Sequence, residues 1–324
     1  MPKAVVCREL GPPGRLWLEE FASKPLAPGQ VRVAIRAAGI NFPDILMAAG
    51  DYQLKPELPF TPGMEAAGDI VEVNSADGVA VGDRVIVKLR HGGYSDEAVV
   101  SPSQLTPLPS TFDYAEGATF LAAHGTGYHG LVDRGQLRPG EVLLVHGAGG
   151  GVGLAAVEIG KLLGATVIAA ASSEEKLEVA KARGADHLVL YSREPFRDAV
   201  KRITDGRGAD VVYDPVGGPI FEDSVRCIAW GARLLVIGFT GGIGLARTNL
   251  LLIKGASVLG VRAGEAARKN PPIGEARIRK LLEWAEQGEI RPNISHRLPL
   301  EDYAAAMQLL IDRKAIGRVA LMMG

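Results

Sequence analysis

Three small residues, Ala148, Gly150 and Gly153, stand in "LLVHGAGGGVGLAAVEIGKLLGATVIAAASSEEK" at the spacing A-x-G-x-x-G. That spacing suits one kind of chemistry, the cradling of a pyrophosphate. A glycine at 150 lets backbone approach the phosphates with no Cβ in the way, and one at 153 lets a helix pack closely on the preceding strand. The run Ala148, Gly149, Gly150, Gly151, Val152, Gly153 then presents free N–H groups and the positive end of a helix dipole to the anion. An NAD site needs Asp or Glu about 20 residues further on, to bind the ribose 2′-hydroxyl. Here that place holds Ala171, Ser172 and Ser173. Lys176 follows one turn into the next helix, where an ammonium reaches a 2′-phosphate, so the pattern favours NADPH. Glu174 and Glu175 are first-turn residues behind a capping Ser173.

Other reactive side chains are sparse. The two cysteines, Cys7 and Cys227, are far apart, which excludes a disulfide framework or a thiolate zinc site. His124 and His129 do not share a helix face as an i, i+4 pair does, and no partner ligands accompany them. Two readings stand for His124: a pocket-lining or proton-relay residue, or a structural one. His91 and His146 read as structural, His146 as a brace of the glycine loop.

The frame that must position these residues is legible in three textures. Residues 1–121 consist of short β-branched segments such as "QVRVAIRAAGI", "AAGDIVEV" and "VGDRVIVKL" between turn residues, the pattern of a compact antiparallel barrel. Residues 122–263 alternate strands ("EVLLVHGA", "TVIAAA", "HLVLY", "ADVVYDPVG", "ARLLVIGF", "ASVLGVRAG") with helices, which predicts an α/β unit with a parallel sheet covered on both faces. Residues 264–324 add two helices, "EARIRKLLEWAEQGEI" and "LEDYAAAMQLLIDRK", and a closing strand, "GRVALMM". A chain of 324 residues is longer than one core usually serves, so two lobes are expected. The net charge of −1 leaves no electrostatic footprint for nucleic acid or an anionic membrane. No apolar run approaches the roughly 20 residues that span a bilayer, and "MPKAVVCREL" reads as a strand, not a signal segment. The expectation is a cytoplasmic protein.

Six blocks, "AAGINFPDILMAAGDY", "PFTPGMEAAGDIVEV", "VGDRVIV", "HGAGGGVG", "VVYDPVGG" and "LLVIGF", occur in an order and spacing that resemble the medium-chain dehydrogenase/reductase superfamily, and within it the zinc-free quinone oxidoreductases. The resemblance implies a Rossmann doubly wound parallel sheet at 122–263. It implies a GroES-like β-barrel catalytic domain assembled from 1–121 and 264–324, with the active site in the cleft. In the zinc-dependent branch three positions carry the catalytic metal ligands. They correspond here to Asn41, Met64 and Ala122, so no catalytic metal is expected. Asp44 and Glu65 survive from those blocks and read as structural.

The resemblance also implies cofactor contacts. Lys176 and Tyr191 would flank the 2′-phosphate of NADPH. Asn41 and Thr126 would lie near the nicotinamide end, and Gly238, Phe239 and Thr240 would border the cofactor. For Arg318 two readings stand, reaching the site or a surface role. Without a metal, the acceptor must itself be electrophilic, a quinone or an enone, held against the nicotinamide by hydrogen bonds to the oxygen that gains charge. Tyr52, with Asn41 and Thr126, is the candidate donor; its other reading is a packing aromatic. Quinone reduction is the expected activity. The alternatives are reduction of α,β-unsaturated ketones, aldehydes or enoyl-CoA, and NADPH binding without turnover, as in crystallin-like relatives. A homodimer through the last Rossmann strand is expected, since an unpaired apolar edge is a liability.

Overall fold

All four residues of Val142–Val145 (β1) are buried, as befits a strand with neighbours on both sides and helices on both faces. Five strands join it: Thr166–Ala171 (β2), His187–Leu190 (β3), Ala209–Asp214 (β4), Ile228–Val236 (β5) and Ser257–Gly260 (β6). The order across the sheet is β3-β2-β1-β4-β5-β6, every pair parallel. This is a doubly wound Rossmann sheet, and its strand order reverses between β1 and β4. Ligands of such sheets bind beyond the carboxyl ends of the strands at that reversal. The intervening helices are Gly151–Leu162 (α1), Glu174–Ala182 (α2), Phe196–Ile203 (α3), Gly218–Ser224 (α4) and Thr248–Lys254 (α5). Apolar or small on nearly every side, α1 buries Leu154 through Gly160. Only Leu177 and Ala180 are buried in α2, which turns its charges outward.

The computed structural model describes Met1–Gly324, and the chain divides into Met1–Ala122 with Pro292–Gly324, and Ala123–Arg291. The second boundary, expected at 264, therefore falls at 292. The helices Ala263–Lys269 and Pro271–Glu286 belong with the parallel sheet. Arg277 shows why. Buried in the longer helix, its guanidinium donates to Asp133 Oδ2 at 3.0 Å and to Ala263 O at 3.2 Å. Apolar periodicity reveals that a helix has a buried face, but not which core receives it.

The other unit is mainly antiparallel. Its central strand, Gln30–Gly39, pairs with Glu65–Asn74, Glu97–Val100 and Arg318–Met322. The sheet continues through Arg84–Lys88 to Leu105–Pro107, while Ile294–Pro299 lies parallel to Arg318–Met322. Lys3–Val6 and Trp17–Glu20 form a separate antiparallel pair. Val33, Ile35, Ile70, Val85, Val319 and Leu321 share one core, so the first and last parts of the chain are interleaved. No helix is long and apolar enough to cross a membrane.

Candidate dinucleotide site

At the carboxyl end of β1 the chain turns through Gly147, whose φ of 55° is left-handed, and enters α1. Gly150 is the N-cap and no side chain caps the helix, so the first N–H groups of α1 lack intrahelical partners. The two motif glycines differ in what demands them. A Cβ on Gly153 would lie 2.3 Å from Gly147 O and 2.9 Å from Ala148 Cα, whereas one on Gly150 would meet only Gly147 O at 3.4 Å. Close packing of helix on loop thus requires Gly153. At Gly150 the protein alone leaves room, directly before an uncapped helix terminus, which fits a pyrophosphate.

The tip of β2 lies next to this loop. Ser173 caps α2 by accepting from Lys176 N at 3.4 Å, and Lys176 Nζ donates to Ser172 Oγ at 3.4 Å. The Lys176 stem covers Gly149, where a Cβ would come within 2.5 Å of Lys176 Cβ. The ammonium is therefore held over the glycine loop. Glu174 is paired with Arg193.

Tyr191 follows β3, but its hydroxyl faces the loop from below. It accepts from Gly147 N at 3.3 Å and lies 3.0 Å from His146 Nδ1. His146 Nε2 lies 2.8 Å from Ser224 Oγ, which itself donates to Ile220 O at 2.7 Å. Ser224 has committed its proton, so the network assigns His146 as donor at Nε2 and acceptor, from Tyr191, at Nδ1. Burial pushes His146 down to about 3, which keeps it neutral, and raises the Tyr191 phenol. The Tyr191 hydroxyl, expected beside a 2′-phosphate, is here bonded to Gly147 and His146 and braces the loop.

Beyond β4, the Asp214 carboxylate accepts from Val216 N at 2.8 Å and Gly217 N at 2.9 Å. Gly241 N donates to Val216 O at 2.7 Å, and Thr240 Oγ1 to Pro215 O at 3.3 Å. A Cβ on Gly217 would stand 2.4 Å from Gly242 O. The loops after β4 and β5 are thereby stitched together, fixing Gly238, Phe239 and Thr240 at the sheet's carboxyl edge. Asp214 and Gly217 lie in a block quoted above, yet no local spacing marked their role in shaping the loop.

In the antiparallel unit, Asn41 caps the helix Phe42–Ala49 in a reciprocal arrangement with Asp44. Its Oδ1 accepts from Arg318 at 2.8 Å, and its Nδ2 donates to Gly39 O at 3.3 Å. Arg318 is buried, 3.7 Å from Glu65 Oε2, which removes the surface reading. Burial lowers the Arg318 pKa. Burial also raises Glu65 to about 7 against the pull of Arg318, and Asp44 to about 6 despite bonds from Asn41 N and the Tyr94 hydroxyl. Glu65 further accepts from Ala122 N at 3.0 Å. Tyr52 is half-buried against this core. In the Rossmann unit, Thr126 is half-buried on the helix Phe120–Tyr128. On the same helix, His124 is buried against Glu158 Oε2 at 3.0 Å, a structural tie to α1. His129 Nδ1 lies 2.8 Å from Asp133 Oδ2 and 3.1 Å from Arg277.

A doubly wound sheet with a glycine loop at its reversal, set within a chain whose ends build a GroES-like unit, defines the architecture of the medium-chain dehydrogenases/reductases. Residues 27–110 match the family described as alcohol dehydrogenase GroES-like domain, and 151–287 that described as zinc-binding dehydrogenase. The chain belongs to this superfamily of oxidoreductases, in its quinone oxidoreductase-like branch. It is 39% identical over 325 residues to quinone oxidoreductase-like protein 2 homolog of Nematostella vectensis, covering 98% of this chain and 88% of that one. It is 37% identical to quinone oxidoreductase-like protein 2 of Bos taurus, over 98% and 92% of the two chains. Escherichia coli quinone oxidoreductase, solved in complex with NADPH, superposes with a TM-score of 0.90 at 27% identity, covering 99% of both chains.

Proposed function

We propose that this protein passes a hydride from NADPH to a quinone without a catalytic metal. The observation that carries the reading is the tip of β2, where Ser172 and Lys176 meet over the glycine loop with no carboxylate to claim a 2′-hydroxyl. The NADPH held by the E. coli relative supports the same cofactor. Asn41, Met64 and Ala122 form a poor zinc set: a carboxamide held by Arg318, a thioether and a methyl group. Nor do any three His, Cys, Asp or Glu side chains gather into a metal site.

Bound NADPH supplies the hydride, and the chain supplies binding and orientation. The uncapped N–H groups of α1, with Gly149 and Gly150, receive the pyrophosphate. Lys176 and Ser172 receive the 2′-phosphate, and Tyr191 holds the loop from behind. Gly238, Phe239 and Thr240 border the cofactor. Asn41 and Thr126 serve its nicotinamide end, and Tyr52 donates to the acceptor oxygen that gains charge. The exposed edge strand β6, with Val258 36% exposed and Trp230 and Leu252 more so, pairs with its two-fold mate in a homodimer.

Stopped-flow oxidation of NADPH against quinones, enones and an enoyl-CoA tests the reading. Quinones oxidising bound NADPH much faster than enones supports it. Faster oxidation by enones or the thioester reassigns the acceptor, and tight NADPH binding with no oxidation by any of them indicates a binding protein.

A further inference from the structure

The amino-terminal edge of the parallel sheet, opposite the glycine loop, holds a surface cavity of about 260 Å³. Four cations line it, Arg197 and Lys201 from α3, Arg226 just before β5, and Lys254 at the end of α5; no acid does. Its remaining wall is apolar: Val225, Leu250 and Ile253. Arg197 reaches only its neighbour Asp198, at 3.2 Å on the surface. Lys201, Arg226 and Lys254 make no ion pair. Partners were not scarce in a chain with 36 basic and 37 acidic residues.

Helix dipoles account for part of this. Lys201 and Lys254 sit in the last turns of α3 and α5, where a cation is favoured. That does not explain Arg226, nor why three elements aim their charges at one cavity. The convergence is also felt at Cys227, buried behind it. Burial raises that thiol, with Asp223 acting in the same sense, and Lys201, Arg197 and Lys254 act to lower it. Like charges gathered beside apolar side chains repel one another more strongly than they would in open solvent. Asp198 meets Arg197 and Asp223 acts from nearby, but no acid lines the cavity itself; a bound anion would offset the remaining repulsion there.

We propose that this cavity binds the phosphate group of a small molecule, at a site separate from the dinucleotide cradle. The two guanidiniums supply planar paired donors, the two ammoniums supply compact charge, and the apolar wall takes the carbon next to the phosphate. Calorimetry with inorganic pyrophosphate, on protein saturated with NADPH so that the cradle is filled, tests this. One saturable site is expected. The double variant K201E/K254E, both residues clear of the cradle, should lose at least about tenfold in pyrophosphate affinity while binding NADPH normally. R226Q should weaken it in the same sense and guards against a folding defect, and K176A should leave it unchanged. Absence of saturable binding, or equal affinity in K201E/K254E, overturns the proposal. A second arm identifies the source of the phosphate. Vesicles of phosphatidylcholine with a phosphoinositide that displace pyrophosphate mark a lipid headgroup, and vesicles that do not mark a soluble phosphate ester.

Discussion

Lys176 and Tyr191 both touch the same glycine loop, and their substitutions should behave differently. On the proposed reading, Lys176→Ala removes a charge-assisted contact with the 2′-phosphate. It should weaken NADPH by about tenfold or more and leave NADH nearly unchanged; fluorescence titration showing equal loss for both would sink the assignment. Tyr191→Phe removes hydrogen bonds to Gly147 and His146. It should cost about 1–3 kcal/mol of stability and weaken both nucleotides alike, whereas a loss confined to NADPH would restore a phosphate contact. His146 adds a pH signature. Its value falls from 6.5 to about 3 on folding, so the unfolded chain binds the proton first. Stability from the neutral ring is complete above about pH 6.5 and is lost progressively as pH falls toward 3. Chemical denaturation should therefore show the gap between wild type and His146→Gln narrowing from about pH 7 to about pH 4; a constant gap would show that the ring does not stay neutral.

For the strand–loop–helix element, the contrast between Gly150 and Gly153 is sharper than their shared motif suggests. Gly153→Ala drives a methyl into backbone at 2.3 Å. It should destabilise the Rossmann unit by about 1–3 kcal/mol. Gly150→Ala has room in the protein and should melt like wild type, yet lose dinucleotide binding. A melting temperature unchanged in the first variant, or nucleotide affinity unchanged in the second, contradicts this division of labour. The element was legible in the sequence because glycine spacing, strand alternation and a serine cap are local patterns. The brace behind it was only half legible: His146 reads as a brace from its place beside the glycines, but its partners do not. Tyr191 and His146 are 45 residues apart, and Arg318 and Asn41 277 apart, and no periodicity links such pairs. The same limit misplaced the helix Pro271–Glu286, whose amphipathic pattern fitted either core.

Across the whole molecule, both edges of the parallel sheet, β3 and β6, remain open. β6 pairs only with β5, and its neighbours Trp230 and Leu252 are 78% and 81% exposed. If β6 pairs in the proposed homodimer, Val258→Lys, which places a charge on that edge, should shift sedimentation from dimer to monomer; a wild-type chain already monomeric at micromolar concentration would refute the pairing. The antiparallel unit has a different consequence. Arg318–Met322 is not an edge strand but lies between Ile294–Pro299 and Gln30–Gly39. The sheet therefore cannot close until those late residues leave the ribosome, whereas the Rossmann unit is one continuous segment, Ala123–Arg291. During synthesis the order of folding is set against the order of the chain: the middle matures first, and the amino-terminal segment waits, incomplete, for its partner from the other end.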